Sequence, residues 1–119
     1  AQRLVRVLCN ECRQPYEPKA DDVPGDFPLD EVRQRGVTLY QPGGCRRCRG
    51  KGYTGRFGLF ELLVASDEIR HLAGERVPSH QVKKAAMQAG MRTLRQDGWR
   101  KVLNGVTTID EVMRVTGAD

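Results

Sequence analysis

The sequence predicts a small, mostly helical α+β fold: a tetracysteine unit with short strands, followed by a bundle of about four short helices. Three observations carry that expectation. Two C-x-x-C pairs, Cys9/Cys12 and Cys45/Cys48, sit in the first half. Short alternating apolar phrases lie beside them, and from residue 66 onward apolar residues recur at helical spacing between capping residues. Two units are therefore expected: a zinc-binding subdomain over 1–65 and a helical subdomain over 66–119. Of the 119 residues, 39% are hydrophobic and 29% charged, which excludes disordered and fibrous classes. Aromatic residues are only 6%, so the core is expected to be thin, aliphatic and in need of a staple.

The cysteines are the obvious staple. Two residues between thiolates let one tight turn aim both sulfurs at one ion, and two such turns complete a tetrahedral S₄ site. A site with four cysteine ligands keeps no open position, so it is structural and not catalytic. Two disulfides or four free thiols are the alternatives, and nothing in the sequence suggests the export that disulfides imply. The pairs stand 32 residues apart, longer than a compact zinc ribbon, so the spacer must hold structure. Leu29–Arg35 reads as two helical turns, with Pro28 suited to the first turn and Gly36 to the stop. Val37–Tyr40 alternates like a strand, and Pro42-Gly43-Gly44 turns into the second pair.

Residues 45–58 carry five basic residues (Arg46, Arg47, Arg49, Lys51, Arg56), four glycines and no acid. The glycines would make turns around the metal, and the basic groups would offset the excess negative charge of an S₄ zinc site. A phosphate- or nucleic-acid-binding loop is the other reading. No P-loop pattern occurs, and the formal charge of +5 is short of a dedicated DNA binder. Four thiolates on one Zn²⁺ would bring it to +3. Phe57–Val64 is the most apolar stretch and reads as a strand; Glu61 within it is either a solvent-facing or sheet-edge carboxylate or a buried partner of Arg56.

Four helices follow. The first is expected from a Ser66 cap to near Gly74, and the second from Pro78-Ser79 to Gly90. The third runs over Thr93–Asn104. The fourth opens at Thr108, with Glu111 completing a capping box and Ile109, Val112, Met113 and Thr116 on its apolar face. These helices suggest two αα-hairpins. Met87, Met91 and Met113 read as packing residues, and Trp99 as core or as a contact with further parts of a longer parent chain. His71 and His80 have no catalytic company. No apolar run reaches the roughly 20 residues of a bilayer span, and no signal peptide is visible. The opening at Ala1, without Met, reads like a piece of a longer protein.

Three phrases together resemble one family. AQRLVRVLCNEC, then GKGYTGRFGLFELL after the second cysteine pair, then MRTLRQDGWRKVLNGVTTIDEVMRVT are similar to the C-terminal portion of the type II secretion ATPases. Those belong to the wider secretion and type IV pilus assembly ATPase superfamily. Pilus ATPases share the zinc site and the phrase carrying Gly52, Tyr53, Gly55, Arg56, Gly58 and Glu61. The spacing from Cys48 to Tyr53 and the phrase Thr93–Gly98 lean toward the secretion branch. The resemblance implies a hexameric ATP-hydrolysing motor at the cytoplasmic face of the inner membrane, driving pseudopilus assembly and protein export. Its partners would be adjacent subunits and the inner-membrane platform, with no nucleic acid. Cys9, Cys12, Cys45 and Cys48 fall on the family's Zn²⁺ ligands. ATP and Mg²⁺ would be bound upstream of this chain, which itself would carry no catalytic residues.

Overall fold

The computed structural model describes residues 2–61, 67–88 and 91–117. Over these residues the chain forms five α-helices and two separate two-stranded sheets, a small α+β fold as expected. β1 (Gln2–Leu8) is the opening apolar-basic phrase, and it pairs antiparallel with β4 (Tyr53–Phe60). The register runs from Gln2 opposite Phe60 to Leu8 opposite Tyr53, with an irregularity between Arg6 and Leu8. Alternation then sorts the side chains. Val5 and Leu59 face inward and are fully buried with Leu94, while Leu4 and Phe60 face outward.

β4 corrects one expectation. The strand is expected from Phe57, after glycines that make turns around the metal, yet it already begins at Tyr53. β1 supplies a partner along its whole length. Gly58 also leaves room for the Phe60 ring: a Cβ there would lie 2.8 Å from two ring atoms. The rest of the expected strand, Leu62–Val64, lies outside the described residues.

The spacer between the cysteine pairs is structured. β2 (Gln14–Tyr16) pairs antiparallel with β3 (Leu39–Gln41), so the strand expected at Val37–Tyr40 sits further along the chain. Between them lie a short 3₁₀ turn and α1 (Leu29–Arg35). Gly36 closes α1 at φ +64°, and the Val37 amide bonds back to Val32 O. Pro28 stands at the N-cap, one place before the expected first turn.

The four later helices are α2 (Asp67–Gly74), α3 (Ser79–Gln88), α4 (Leu94–Leu103) and α5 (Ile109–Thr116). They pack as two hairpins, α2 on α3 and α4 on α5. The expected Ser66 cap and Gly90 stop lie outside the described residues. The complete capping box is at α4: Thr93 Oγ1 accepts the Gln96 amide at 3.1 Å, and Gln96 Oε1 accepts the Thr93 amide at 2.9 Å. At α5 only half of the expected box forms. Thr108 Oγ1 accepts the Glu111 amide at 3.2 Å, but the Glu111 carboxylate bonds elsewhere. Two methionines also depart from expectation. Met87 and Met113 are exposed, and only Met91 packs against Ala85 and Ala86.

The main core joins the two expected units. Trp99 and Val102 of α4 and Ile109 and Val112 of α5 pack against Phe27, Val32 and Leu39. Trp99 meets Phe27 edge-on at 5.2 Å between ring centroids, and its Nε1 donates to Asp26 Oδ2 at 3.1 Å. Buried Arg95 pairs with the same aspartate and donates to Gly117 O, tying the end of α5 to the loop before α1. Among the described residues no helix is long and apolar enough to cross a membrane.

Candidate metal centre

The register of β1 and β4 brings the two cysteine turns together. Cys9 follows the last residue of β1, and Tyr53, opposite Leu8, follows the second turn. Cys9 N donates to Gly52 O at 2.9 Å, so the ladder continues one step into the turns. Cysteines 36 residues apart therefore meet: Cys9 Sγ lies 3.7 Å from Cys45 Sγ, and Cys12 Sγ 3.7 Å from Cys48 Sγ. Cys45 and Cys48 are also 3.7 Å apart, and all four sulfurs fall within 4.8 Å of one another.

Those distances discriminate among the chemistries. A disulfide needs about 2.05 Å between sulfurs, and the four cysteines are unbridged. A tetrahedron of thiolates about 2.3 Å from a central Zn²⁺ has edges of about 3.8 Å. The donor set, its spacing and its partial burial fit such an ion.

Backbone amides prepare the sulfurs for negative charge. Gly44 N donates to Cys12 Sγ at 3.1 Å, and Cys45 N and Gly52 N each donate to Cys48 Sγ at 3.2 Å. Burial opposes ionisation of Cys48, but these two amides and the neighbouring thiols outweigh it and bring its thiol down to about 6. At Cys12 the Gly44 amide favours the thiolate, yet burial and the three other sulfurs push the thiol up to about 11. Of these two thiols Cys48 gives up its proton more readily than Cys12, and a divalent cation would hold both as thiolates.

Two glycines are required by this packing. A Cβ on Gly43 would lie 2.2 Å from the Cys12 carbonyl oxygen, and one on Gly52 would lie 2.3 Å from Pro42 Cβ. Gly52 also takes φ +82°, a conformation costly for residues with a Cβ. The arginines of the second turn are exposed. Arg47 pairs with Glu11 of the first turn at 3.1 Å, and Arg46, Arg49 and Lys51 face solvent. Arg56 does not belong to this group. It sits on β4, directly across from Arg6.

A second constellation was missed by sequence reading. Glu111 is 2% exposed and accepts five hydrogen bonds. Arg6 gives its backbone amide at 2.8 Å, Nε at 3.0 Å and Nη2 at 2.7 Å. Arg114 gives Nε at 3.1 Å and Nη2 at 2.8 Å. Burial would push the Glu111 carboxyl up, but the Arg114 and Arg6 guanidiniums prevail and hold it at about 2. Arg6 further stacks over Tyr53 at 4.3 Å, and Tyr53 OH meets Thr108 Oγ1 at 3.0 Å. Leu8 N to Val106 O at 2.8 Å and Thr107 Oγ1 to Arg6 O at 2.7 Å complete the join. The end of β1 that delivers Cys9 is thus fastened to the start of α5. Arg13, just past Cys12, adds a tie: its Nη1 donates to Gly105 O at 3.0 Å while its guanidinium covers Tyr40.

Glu61 directly follows the last residue of β4, and Arg56 is not its partner. It is half-buried, 3.5 Å from Lys83 Nζ, and accepts the Leu94 amide at the start of α4. His71 pairs with Glu75 on the surface of α2.

The family model described as "Type II/IV secretion system protein" matches residues 1–114. A Type II secretion system protein E from Dickeya dadantii is 46% identical over 124 residues, covering 98% of this chain and 22% of that protein. A Type IV pilus assembly ATPase PilB from Thermus thermophilus is 41% identical over 116 residues, covering 98% of this chain and 13% of that protein. A Type II secretion system ATPase E from Vibrio cholerae is 40% identical over 116 residues, with 98% and 22% coverage. The chain spans about a fifth or less of the length of these curated relatives. With a family match over nearly its whole length, on the very turns and strands that bring four sulfurs together, the chain belongs to the type II/IV secretion system protein family.

Proposed function

We propose that the chain is the C-terminal metal-binding and helical portion of a type II secretion ATPase, in which Cys9, Cys12, Cys45 and Cys48 hold one structural Zn²⁺. The sulfur geometry carries the metal assignment: three of the six sulfur–sulfur edges are 3.7 Å and all lie within 4.8 Å, close to the edges of a tetrahedral S₄ zinc site. Bound there, the ion would supply a rigid cross-link between the two turns. The residues around it do the rest: the glycines admit the backbone, and the amides stabilise thiolate charge.

The parent would be a hexameric motor that binds ATP and Mg²⁺ in regions outside this chain and powers pseudopilus assembly and export. The zinc unit would present a rigid surface to adjacent subunits or to the inner-membrane platform at the cytoplasmic face. The names of the relatives support an ATPase parent. The secretion branch is preferred for the Cys48–Tyr53 spacing, the phrase Thr93–Gly98 and the Dickeya dadantii relative. A pilus assembly ATPase is the second reading, favoured by the 41% identity to the Thermus thermophilus protein.

Metal analysis and an ATP turnover assay on the purified chain test the proposal. One zinc per chain, unfolding on chelation and no turnover are expected. A metal-free chain that keeps full stability would overturn the zinc assignment, and robust turnover would overturn the assignment as a non-catalytic portion.

A further inference from the structure

The outer face of the β1–β4 ribbon breaks a rule of strand pairing. Arg6 and Arg56 lie directly opposite each other across the ladder. Like charges in that relation repel and destabilise a sheet. Arg114 joins them, and the three guanidiniums line a cleft of about 450 Å³ with Leu4 and Val5. The carboxylate on hand, Glu111, is buried and taken up by Arg6 and Arg114. Arg56 has no ion pair or hydrogen bond among the described residues, and Nη1 of Arg6 and of Arg114 is likewise unbonded there.

Two of the three guanidiniums are held in place before any ligand arrives. Glu111 fixes both, and Tyr53 stacks on Arg6. Ordered forks with spare N–H groups are suited to a carboxylate, and preorganisation lowers the cost of binding one. The same face carries two large exposed apolar side chains, Leu4 at 47% and Phe60 at 55%. A bare oxyanion has no use for them, but a peptide segment does.

We propose that this face docks an acidic segment of a partner protein, with a carboxylate received by Arg6, Arg56 and Arg114 and an adjoining apolar side chain laid on Leu4 and Phe60. The proposal goes beyond the zinc-site reading and needs neither the metal nor the choice of branch.

The test follows the arginine Nε–H resonances of the isotope-labelled chain during titration. The probes are a short Asp/Glu peptide with one central phenylalanine, its all-amide counterpart, and inorganic phosphate. Saturable shifts of Arg56 and Arg114 with the acidic peptide are expected, with binding about tenfold weaker for the amide counterpart and for phosphate. Arg56→Gln should weaken the acidic peptide by about tenfold as well, with an unchanged amide spectrum elsewhere, because Arg56 is exposed and bonds to none of the described residues. Equal binding of phosphate, insensitivity to Arg56→Gln, or no shift of these resonances up to millimolar peptide would each overturn the proposal.

Discussion

Replacing Glu111 by glutamine probes the join between β1 and α5. The substitution keeps the size of the side chain but removes its charge, and it turns an amide N–H₂ toward two guanidiniums. The cost follows from the carboxyl's own titration. Its value falls from 4.5 to about 2 on folding, and at about 1.4 kcal/mol per unit this corresponds to about 3 kcal/mol. The arginine side chains are 47% and 55% exposed, so solvent screens part of that, and a loss of about 2 to 3 kcal/mol is expected at pH 7. The sign with pH is fixed by the lowered value: the stabilisation is fully present above 4.5 and is lost as pH falls toward 2. Urea unfolding followed by Trp99 fluorescence, on both chains at a series of pH values, measures it. The difference between the chains cancels the pH dependence of the cysteine site. A gap below about 1 kcal/mol at pH 7, or one that does not narrow below pH 4.5, would refute the reasoning.

Three further outcomes follow from particular contacts. Gly98→Ala places a Cβ 2.5 Å from Val112 Cγ1, forcing α4 and α5 apart; despite the better helix propensity, a net loss of about 1 to 2 kcal/mol is expected in thermal denaturation. A stabilised variant would show that the hairpin yields freely. Gly43→Ala drives a Cβ toward the Cys12 carbonyl, so zinc affinity should drop about tenfold in competition with a chromophoric chelator, and an unchanged affinity would contradict that close packing. Arg47→Gln removes an exposed pair whose side chains are 67% and 59% accessible, so the urea midpoint should shift by less than the equivalent of about 0.5 kcal/mol. A larger shift would mean that this arginine supports the cysteine site.

What could be read from the sequence was what is local. Two residues between cysteines define a turn by themselves, and Gly36 announces a helix end through its own backbone. The Glu111 constellation was hidden because its partner Arg6 is 105 residues away and the same glutamate fits a capping box perfectly well. Local pattern predicted the box, while two guanidiniums and a strand amide offered stronger partners. β4 was obscured by its glycines, which read as turns until a strand lies alongside them. Met113 follows the apolar spacing of α5 but falls at the edge of its buried stripe, where Glu111, a charged residue, takes the interior instead. Trp99 was legible as core, but its hydrogen bond to Asp26 spans 73 residues and has no local signal.

The central claim is that four sulfurs hold one zinc ion. X-ray absorption at the zinc edge on the purified chain tests it most directly. The account predicts one zinc per chain with a shell of four sulfurs at about 2.3 Å and no nitrogen or oxygen neighbour. A shell with fewer than four sulfurs, or a folded chain without zinc, would contradict it.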